Sequence, residues 1–189
     1  MILHKFFYSF MLLTLCKASI FNRFLPIPVE KTVNINKYIG KWYQVATSRS
    51  TKLFGTGIDF SNLTATYHIQ DKYPNNITVL NEGYNNKNQF VNISGYSYCI
   101  NNNLPSKRKL HFDKVPVDGN YWIVKLEESE KQYEYAIIAG PISTFFGTRF
   151  SLYILARDRF DYENQYEKNV IQWCKDNGFS NWWNSYVKT

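Results

Sequence analysis

From Lys41 onward the chain falls into short runs of alternating apolar and polar residues, each closed off by Asn, Gly, Pro or a cluster of charges. Period-two alternation gives a strand one apolar and one polar face, so these runs fit a half-buried sheet and not a helix. Eight strands are predicted, at 41–47, 62–70, 76–84, 89–98, 107–114, 120–127, 132–139 and 149–157. Aromatic and β-branched residues dominate the apolar set, which favours pleated strands. Eight strands at hairpin spacing close into an all-β, up-and-down antiparallel barrel whose interior can hold one small ligand. The rival is an immunoglobulin-like sandwich, but residues 19–189 lack its Cys…Trp…Cys spacing. After the eighth strand, Tyr166, Val170, Ile171 and Trp173 recur at helical spacing within 162–175, and Gly178 follows as a stop signal. This predicts one C-terminal α-helix, then a short strand or extended tail over 181–187.

The first residues read as a secretory leader. His4 and Lys5 precede an apolar stretch from Phe6 to Cys16, and Cys16-Lys17-Ala18 is a small-x-small cleavage site. Residues 1–18 are therefore expected to be removed, leaving a coil over 19–33 and a barrel domain over 34–189. The apolar run falls short of the ~20 residues that span a bilayer. Loss of Lys5 and Lys17 lowers the formal net charge from +7 to +5, 20 basic residues against 15 acidic. The excess is mild and scattered apart from Lys107-Arg108-Lys109, read as a solvated hairpin, so no nucleic-acid partner is expected. With 44% hydrophobic and 18% aromatic residues, one domain can bury a sizeable core.

Three sequons, at Asn62, Asn76 and Asn92, suit glycosylation on a secretory route. A glycosylated Asn must point outward, which sets the parity of its strand. Leu63, Ala65, Tyr67 and Ile69 then face inward on the second strand. Ile77, Val79 and Asn81 do so on the third, and Val91, Ile93, Gly95 and Ser97 on the fourth. Consecutive hairpins alternate between barrel ends, so Trp42 and Arg157 share one end. The first loop, 48–61, and the seventh, 140–148, share the other. Leu53, Phe54, Phe145 and Phe146 in these two loops are expected to line the cavity mouth.

Gly40-Lys41-Trp42-Tyr43 opens the first strand, and Tyr153-Ile154-Leu155-Ala156-Arg157 closes the eighth. With Val79-Leu80-Asn81, Tyr121-Trp122-Ile123-Val124 and Tyr135-Ala136, these segments resemble the lipocalin family of calycin barrels over about 34–187. The nearest character is that of the apolipoprotein D and bacterial outer-membrane lipocalin group. The resemblance implies a barrel closed at the Gly40–Trp42 end, with the Arg157 guanidinium across the Trp42 indole and the helix packed outside. With alternation, it places Leu110, Phe112, Tyr121, Ile123, Ala136, Ile138, Ser151, Tyr153 and Leu155 inside. It further implies a Cys99–Cys174 disulfide, the two cysteines remaining after Cys16 leaves; the other reading is two unpaired buried thiols. Some relatives are lipid-anchored, so Leu13-Thr14-Leu15-Cys16 offers a membrane-anchored alternative to secretion, with Leu15 a poor match. The family's Thr-Asp-Tyr motif is replaced by Glu130-Lys131-Gln132-Tyr133.

No metal-binding His spacing, nucleophile elbow or dinucleotide fingerprint is present, so neither an enzyme nor a cofactor is expected. The resemblance instead implies a carrier of a small hydrophobic ligand, a lipid, fatty acid or similar, expected to be secreted and monomeric; the apolar residues Leu53, Phe54, Phe145 and Phe146, brought together by topology, add an expected transient membrane contact at the mouth. Its expected ligand-binding residues are Ala65, Tyr67, Ile77, Val79, Asn81, Ile93, Leu110, Phe112, Tyr121, Ile123, Ile138 and Tyr153. The alternative is a secreted protein-binding module that acts through its open-end loops, with the barrel as a filled scaffold.

Overall fold

Nine strands form one antiparallel sheet that closes on itself. A computed structural model describes residues 27–54, 60–144 and 147–189; the expected leader, coil residues 19–26, Phe145 and Phe146 lie outside the described residues, as do the side chains of Leu53 and Phe54. The barrel strands are β1 (Gly40–Ser48), β2 (Ser61–Gln70), β3 (Tyr73–Tyr84), β4 (Phe90–Cys99), β5 (Lys107–Phe112), β6 (Gly119–Glu128), β7 (Tyr133–Thr144) and β8 (Gly147–Ala156). Each pairs with the next, and β1 pairs with both β2 and β8, closing the ring. All eight predicted strands are present. A short β9 (Tyr186–Lys188) lies along the second half of β1, from Ala46 to Ser48, which β2 leaves unpaired.

Three local departures from the sequence reading have physical causes. The predicted seventh loop is hairpin: β7 and β8 stay in register from Gly140↔Ser151 to Thr144↔Gly147. Gly140 and Pro141 suggested a break, yet a Cβ on Gly140 would sit 2.7 Å from the Asn120 carbonyl, and Asn120 Nδ2 donates to the Pro141 carbonyl at 2.7 Å. The predicted first loop contains a helix, α2 (Arg49–Phe54), started by Ser48, whose Oγ accepts from Thr51 N at 3.2 Å. The polar turn before β1 is also helical: α1 (Ile35–Tyr38) is capped by the Asn34 side chain, which accepts from Asn36 N.

The C-terminal helical segment begins earlier than predicted, because Asp158 caps it by accepting from Phe160 N and Asp161 N. It runs through α3 (Arg159–Asp161), a π turn (Tyr162–Tyr166) and α4 (Glu167–Asp176). Tyr162, Val170 and Cys174 pack with Val45, Ile137, Ile154 and Phe179 on the outside of β1, β7 and β8. A second cluster, around Trp42, Tyr67, Ile77, Ile123 and Ile138, fills the inside.

This arrangement overturns the Cys99–Cys174 disulfide: both cysteines are free. Cys174 is buried under the helix against the β7–β8–β1 wall, whereas Cys99 ends β4, beyond β5 and β6 in the sheet order. Cys99 Sγ instead accepts from Arg108 Nη1 at 2.8 Å. Burial pushes the Cys174 thiol up to about 12.

At Gly95, β4 and β5 approach so closely that a Cβ would lie 1.9 Å from the His111 carbonyl. Gly95→Ala is expected to cost about 1–3 kcal/mol in urea denaturation, the usual cost of overpacking. Gly119→Ala, whose Cβ would be 3.9 Å from the nearest atom across the sheet, the Leu110 carbonyl oxygen, is the tolerated control.

Candidate functional site

The closed end is built around Trp42, which α1 and the β1 start bring beneath the barrel. Trp42 is fully buried, and its Nε1 donates to the Tyr38 carbonyl at 2.8 Å. The Arg157 guanidinium lies 3.9 Å from the indole centroid. It also donates to the carbonyls of Lys37, Ile39 and Lys41 at 2.9, 2.8 and 2.9 Å, and Nε donates to the Tyr133 carbonyl at 3.2 Å. Gly40 has φ +97°, and a Cβ there would meet Arg157 Nη1 at 3.2 Å, so the signature glycine serves both backbone and arginine. Tyr133, where the family motif departs, still supplies the carbonyl for Arg157 and accepts from Asn34 N at 3.0 Å.

Above this floor, the hydroxyls of Tyr38 and Tyr121 lie 2.6 Å apart, and those of Tyr67 and Tyr121 2.9 Å apart. Burial raises all three tyrosines: Tyr38 and Tyr121 well above 10, and Tyr67 up to about 12. Unfolded tyrosines lose protons near pH 10 while these retain theirs, so the native state binds more protons and stability falls as pH rises through that range. A last step of phenolate absorbance is therefore expected to appear only with unfolding, above about pH 10; ionisation of every tyrosine while the fold persists would contradict the buried triad.

The inward set is largely as parity placed it. Ala65, Tyr67, Ile77, Val79, Tyr121, Ile123 and Ile138 form one buried cluster, with Leu110, Phe112 and Tyr153 packed partly buried against it. Asn81 and Ile93 face each other across β3 and β4 and are also only partly buried. Asn81 Oδ1 is buried without a hydrogen-bond partner. A bulge between Ile123 and Lys125 returns Leu126 to the interior and puts Lys125 opposite Ile137 of the outer cluster. Burial therefore grades along the barrel: side chains near Trp42 are sealed, and those toward the β3–β4 and β5–β6 turns retain access. A recess of about 300 Å³ lies elsewhere, lined by His68, Thr78, Leu80, Ser94 and Tyr96 on the outer face of β2–β4.

Three interior groups escaped the sequence reading. Tyr38 belonged to a turn with no parity to assign. Arg108 was grouped with Lys107 and Lys109 as a solvated cluster, yet it is 1% exposed. It shares parity with Leu110 and Phe112, and that signal was available. Ser106, two residues earlier on the same face, is fully buried. Asn62 and Asn92 are exposed, and Asn76 is half-buried.

A closed antiparallel barrel with an arginine-over-tryptophan floor and a graded apolar interior defines the class of small-ligand-binding β-barrels. Residues 33–183 match the family model of the lipocalin-like domain, and the chain belongs to the lipocalin family, whose members typically bind small hydrophobic molecules. It is 30% identical over 146 residues to the outer membrane lipoprotein Blc of Vibrio cholerae, covering 77% of this chain and 76% of that protein. It is 28% identical over 158 residues to temperature-induced lipocalin-1 of Arabidopsis thaliana, covering 80% and 76%. Among solved structures, lobster apocrustacyanin A1 matches with a TM-score of 0.63 at 17% identity, covering 86% of this chain and 89% of that one. Insecticyanin from the tobacco hornworm Manduca sexta matches at 0.62 and 15% identity, covering 86% and 82%. At these identities the structures speak to fold alone.

Proposed function

We propose that this lipocalin is a secreted, monomeric, non-enzymatic carrier that holds one small hydrophobic molecule, a lipid or fatty acid, in the upper half of its barrel. The observation that carries this reading is the burial gradient: inward-facing Asn81, Ile93, Leu110, Phe112 and Tyr153 keep partial exposure, while Tyr67, Ile77 and Ile123 below them are sealed. Apolar burial of the ligand supplies most of the affinity, at ~25 cal/mol per Å². Asn81 and Tyr153 supply oriented polar contacts. Native mass spectrometry of the protein secreted by its host, with the bound material extracted, tests the reading. Repeated recovery of the protein without added mass, and no uptake of a neutral fluorescent probe, would overturn it. Glycans at Asn62, Asn76 and Asn92 form part of the same secretory proposal. The name of the Vibrio cholerae relative supports the lipid-anchored alternative at Cys16.

Loading at a membrane surface through Leu53, Phe54, Phe145 and Phe146 completes the proposal. Replacing Phe54 and Phe145 by Ser is expected to lower vesicle co-sedimentation and slow ligand uptake from vesicles, leaving binding from solution nearly unchanged. A fall in solution affinity alone would make these residues cavity wall.

One observation favours the protein-binding reading. Trp182 and Trp183 are 63% and 47% exposed, and the segment carrying them is tied to α2 through Ser50 Oγ–Asn184 Oδ1, 2.6 Å, and Arg49 N–Ser185 O, 3.1 Å. Pull-down of a defined partner, lost in Trp182→Ser/Trp183→Ser, would support that role.

A further inference from the structure

The recess of about 300 Å³ opens on the outer face of β2–β4, away from the barrel interior. Its volume is at the lower end of the ~300–1,000 Å³ typical of small-molecule sites. The register sets Thr78 opposite Tyr96 and Leu80 opposite Ser94, with His68 opposite Thr78 on the other side. Tyr96 forms one wall and is braced from behind. Its ring centroid lies 5.0 Å from that of His111 and 6.0 Å from that of Tyr98. One carboxylate fixes both neighbours: the Tyr98 hydroxyl donates to Asp118 Oδ2 at 2.6 Å, and His111 Nδ1 meets Asp118 Oδ1 at 2.8 Å. Tyr96 is 37% exposed, so it presents a rigid aromatic surface that needs no ordering when a ligand arrives.

Gln70 supplies the second feature. It lines the recess, and its Oε1 is buried with no hydrogen-bond partner. A buried acceptor without a donor is costly, and a ligand O–H or N–H placed there removes that cost. The remaining lining selects the ligand class. No lysine or arginine lines the recess, so it offers no fixed cation to a phosphate or carboxylate. An alkyl chain would strip water from Gln70, Thr78, Ser94 and Asp113 and return no hydrogen bonds. Among the described residues, no group of three His, Cys, Asp or Glu side chains is placed to hold a metal ion. An aromatic ring beside amide, hydroxyl and carboxylate groups suits a pyranose. The C–H face of the sugar lies against the electron-rich face of the ring, and its rim hydroxyls meet the polar groups.

We infer that the outer recess is a saccharide subsite, which holds one pyranose ring against Tyr96 while Gln70 Oε1 accepts a hydrogen bond from it. This inference goes beyond the carrier reading and does not depend on what fills the barrel. Two sources offer the same chemistry. One is a glycan of this chain, under the secretory proposal: Asn76 and Asn92 have the parity of the outer face, and each lies two residues from a lining hydroxyl, Thr78 and Ser94. The other is a saccharide carried by a second molecule.

The test takes protein expressed through a secretory pathway, before and after enzymatic removal of N-glycans, and titrates it with N,N′-diacetylchitobiose and methyl α-mannoside under saturation-transfer difference NMR. At least one sugar is expected to receive saturation from the glycan-free protein, with half-saturation on the order of millimolar, as befits a shallow open site. Tyr96→Ala and Gln70→Leu are each expected to weaken that binding about ten-fold, through loss of the ring contact and of the acceptor. Tyr96→Phe keeps the ring and is expected to bind as wild type. Trp182→Ala, which removes an exposed aromatic on another surface, is the control expected to change nothing. Binding that appears only after glycan removal assigns the subsite to this chain's own glycan, whereas equal binding before and after assigns it to a sugar on a second molecule. No transfer to either sugar in either form overturns the inference. Transfer unchanged in Tyr96→Ala or in Gln70→Leu also overturns it. Uptake of a neutral fluorescent probe into the barrel is measured separately, so its failure removes the carrier reading and leaves this site standing.

Discussion

Trp42→Ala is expected to lower unfolding free energy by about 3–5 kcal/mol, the range for deleting a large buried aromatic that its surroundings cannot refill. Trp42 is fully buried, its ring centroid lies 5.3 Å from that of Tyr38, and Arg157 covers one face at 3.9 Å. None of these neighbours is free to collapse into the space. Tyr38 is held by its hydroxyl contact with Tyr121, and Arg157 by carbonyls on two segments. Urea denaturation followed by circular dichroism measures the effect, with Trp182→Ala as the exposed control expected to stay within about 0.5 kcal/mol. A Trp42→Ala midpoint within error of wild type would mean that the floor is not the barrel's anchor.

Arg157→Ala is expected to be the next largest loss, about 2–4 kcal/mol, combining a desolvated cation–π contact with charge-assisted bonds to backbone carbonyls. The guanidinium gathers the α1 end, through Lys37, Tyr38 and Ile39, onto the β7 start at Tyr133. Without it, α1 loses its main tether, and Tyr38 loses the frame that points it into the barrel. Arg157→Lys should recover little, because an ammonium on a flexible stem cannot reach carbonyls on both sides at once while lying flat on an indole. The measurement is the same urea series; full recovery by Lys would show that charge alone suffices.

Much of this architecture was legible because period-two alternation is clear in strands such as β2 and β4. Parity put Ala65, Tyr67, Ile77 and Val79 inside, and alternation together with the family resemblance did so for Tyr121, Ile123 and Ile138, all of which lie in the inner cluster. It was silent where tertiary contacts override local signals. Gly140 and Pro141 read as a break, but Asn120 on β6 turns them into strand. The family resemblance implied a Cys99–Cys174 bridge, yet in this barrel the two cysteines meet different walls and both are free. Arg108 was the costliest omission: its charged neighbours spoke for solvent, its parity spoke for the interior, and the buried acceptors that decide the matter lie on β4 and the β2–β3 turn.

The β1–β8 seam also sets the tempo of folding. Every other neighbouring pair among these eight strands is consecutive in sequence, but the seam joins Tyr43 to Ala156 and Thr47 to Tyr153, and Arg157 Nη1 reaches the Lys41 carbonyl across 116 residues. Long-range contacts repay chain ordering only after it has been done, which puts barrels of this kind on the millisecond-to-second side of the folding scale. Hairpins accumulate first as an open, curling sheet with two unsatisfied edges, and the ring shuts last. During that interval the nascent protein is a strand-edge hazard to its neighbours. Arg157, by tying the end of β8 to the start of β1 at the closed end, is the residue that ends it.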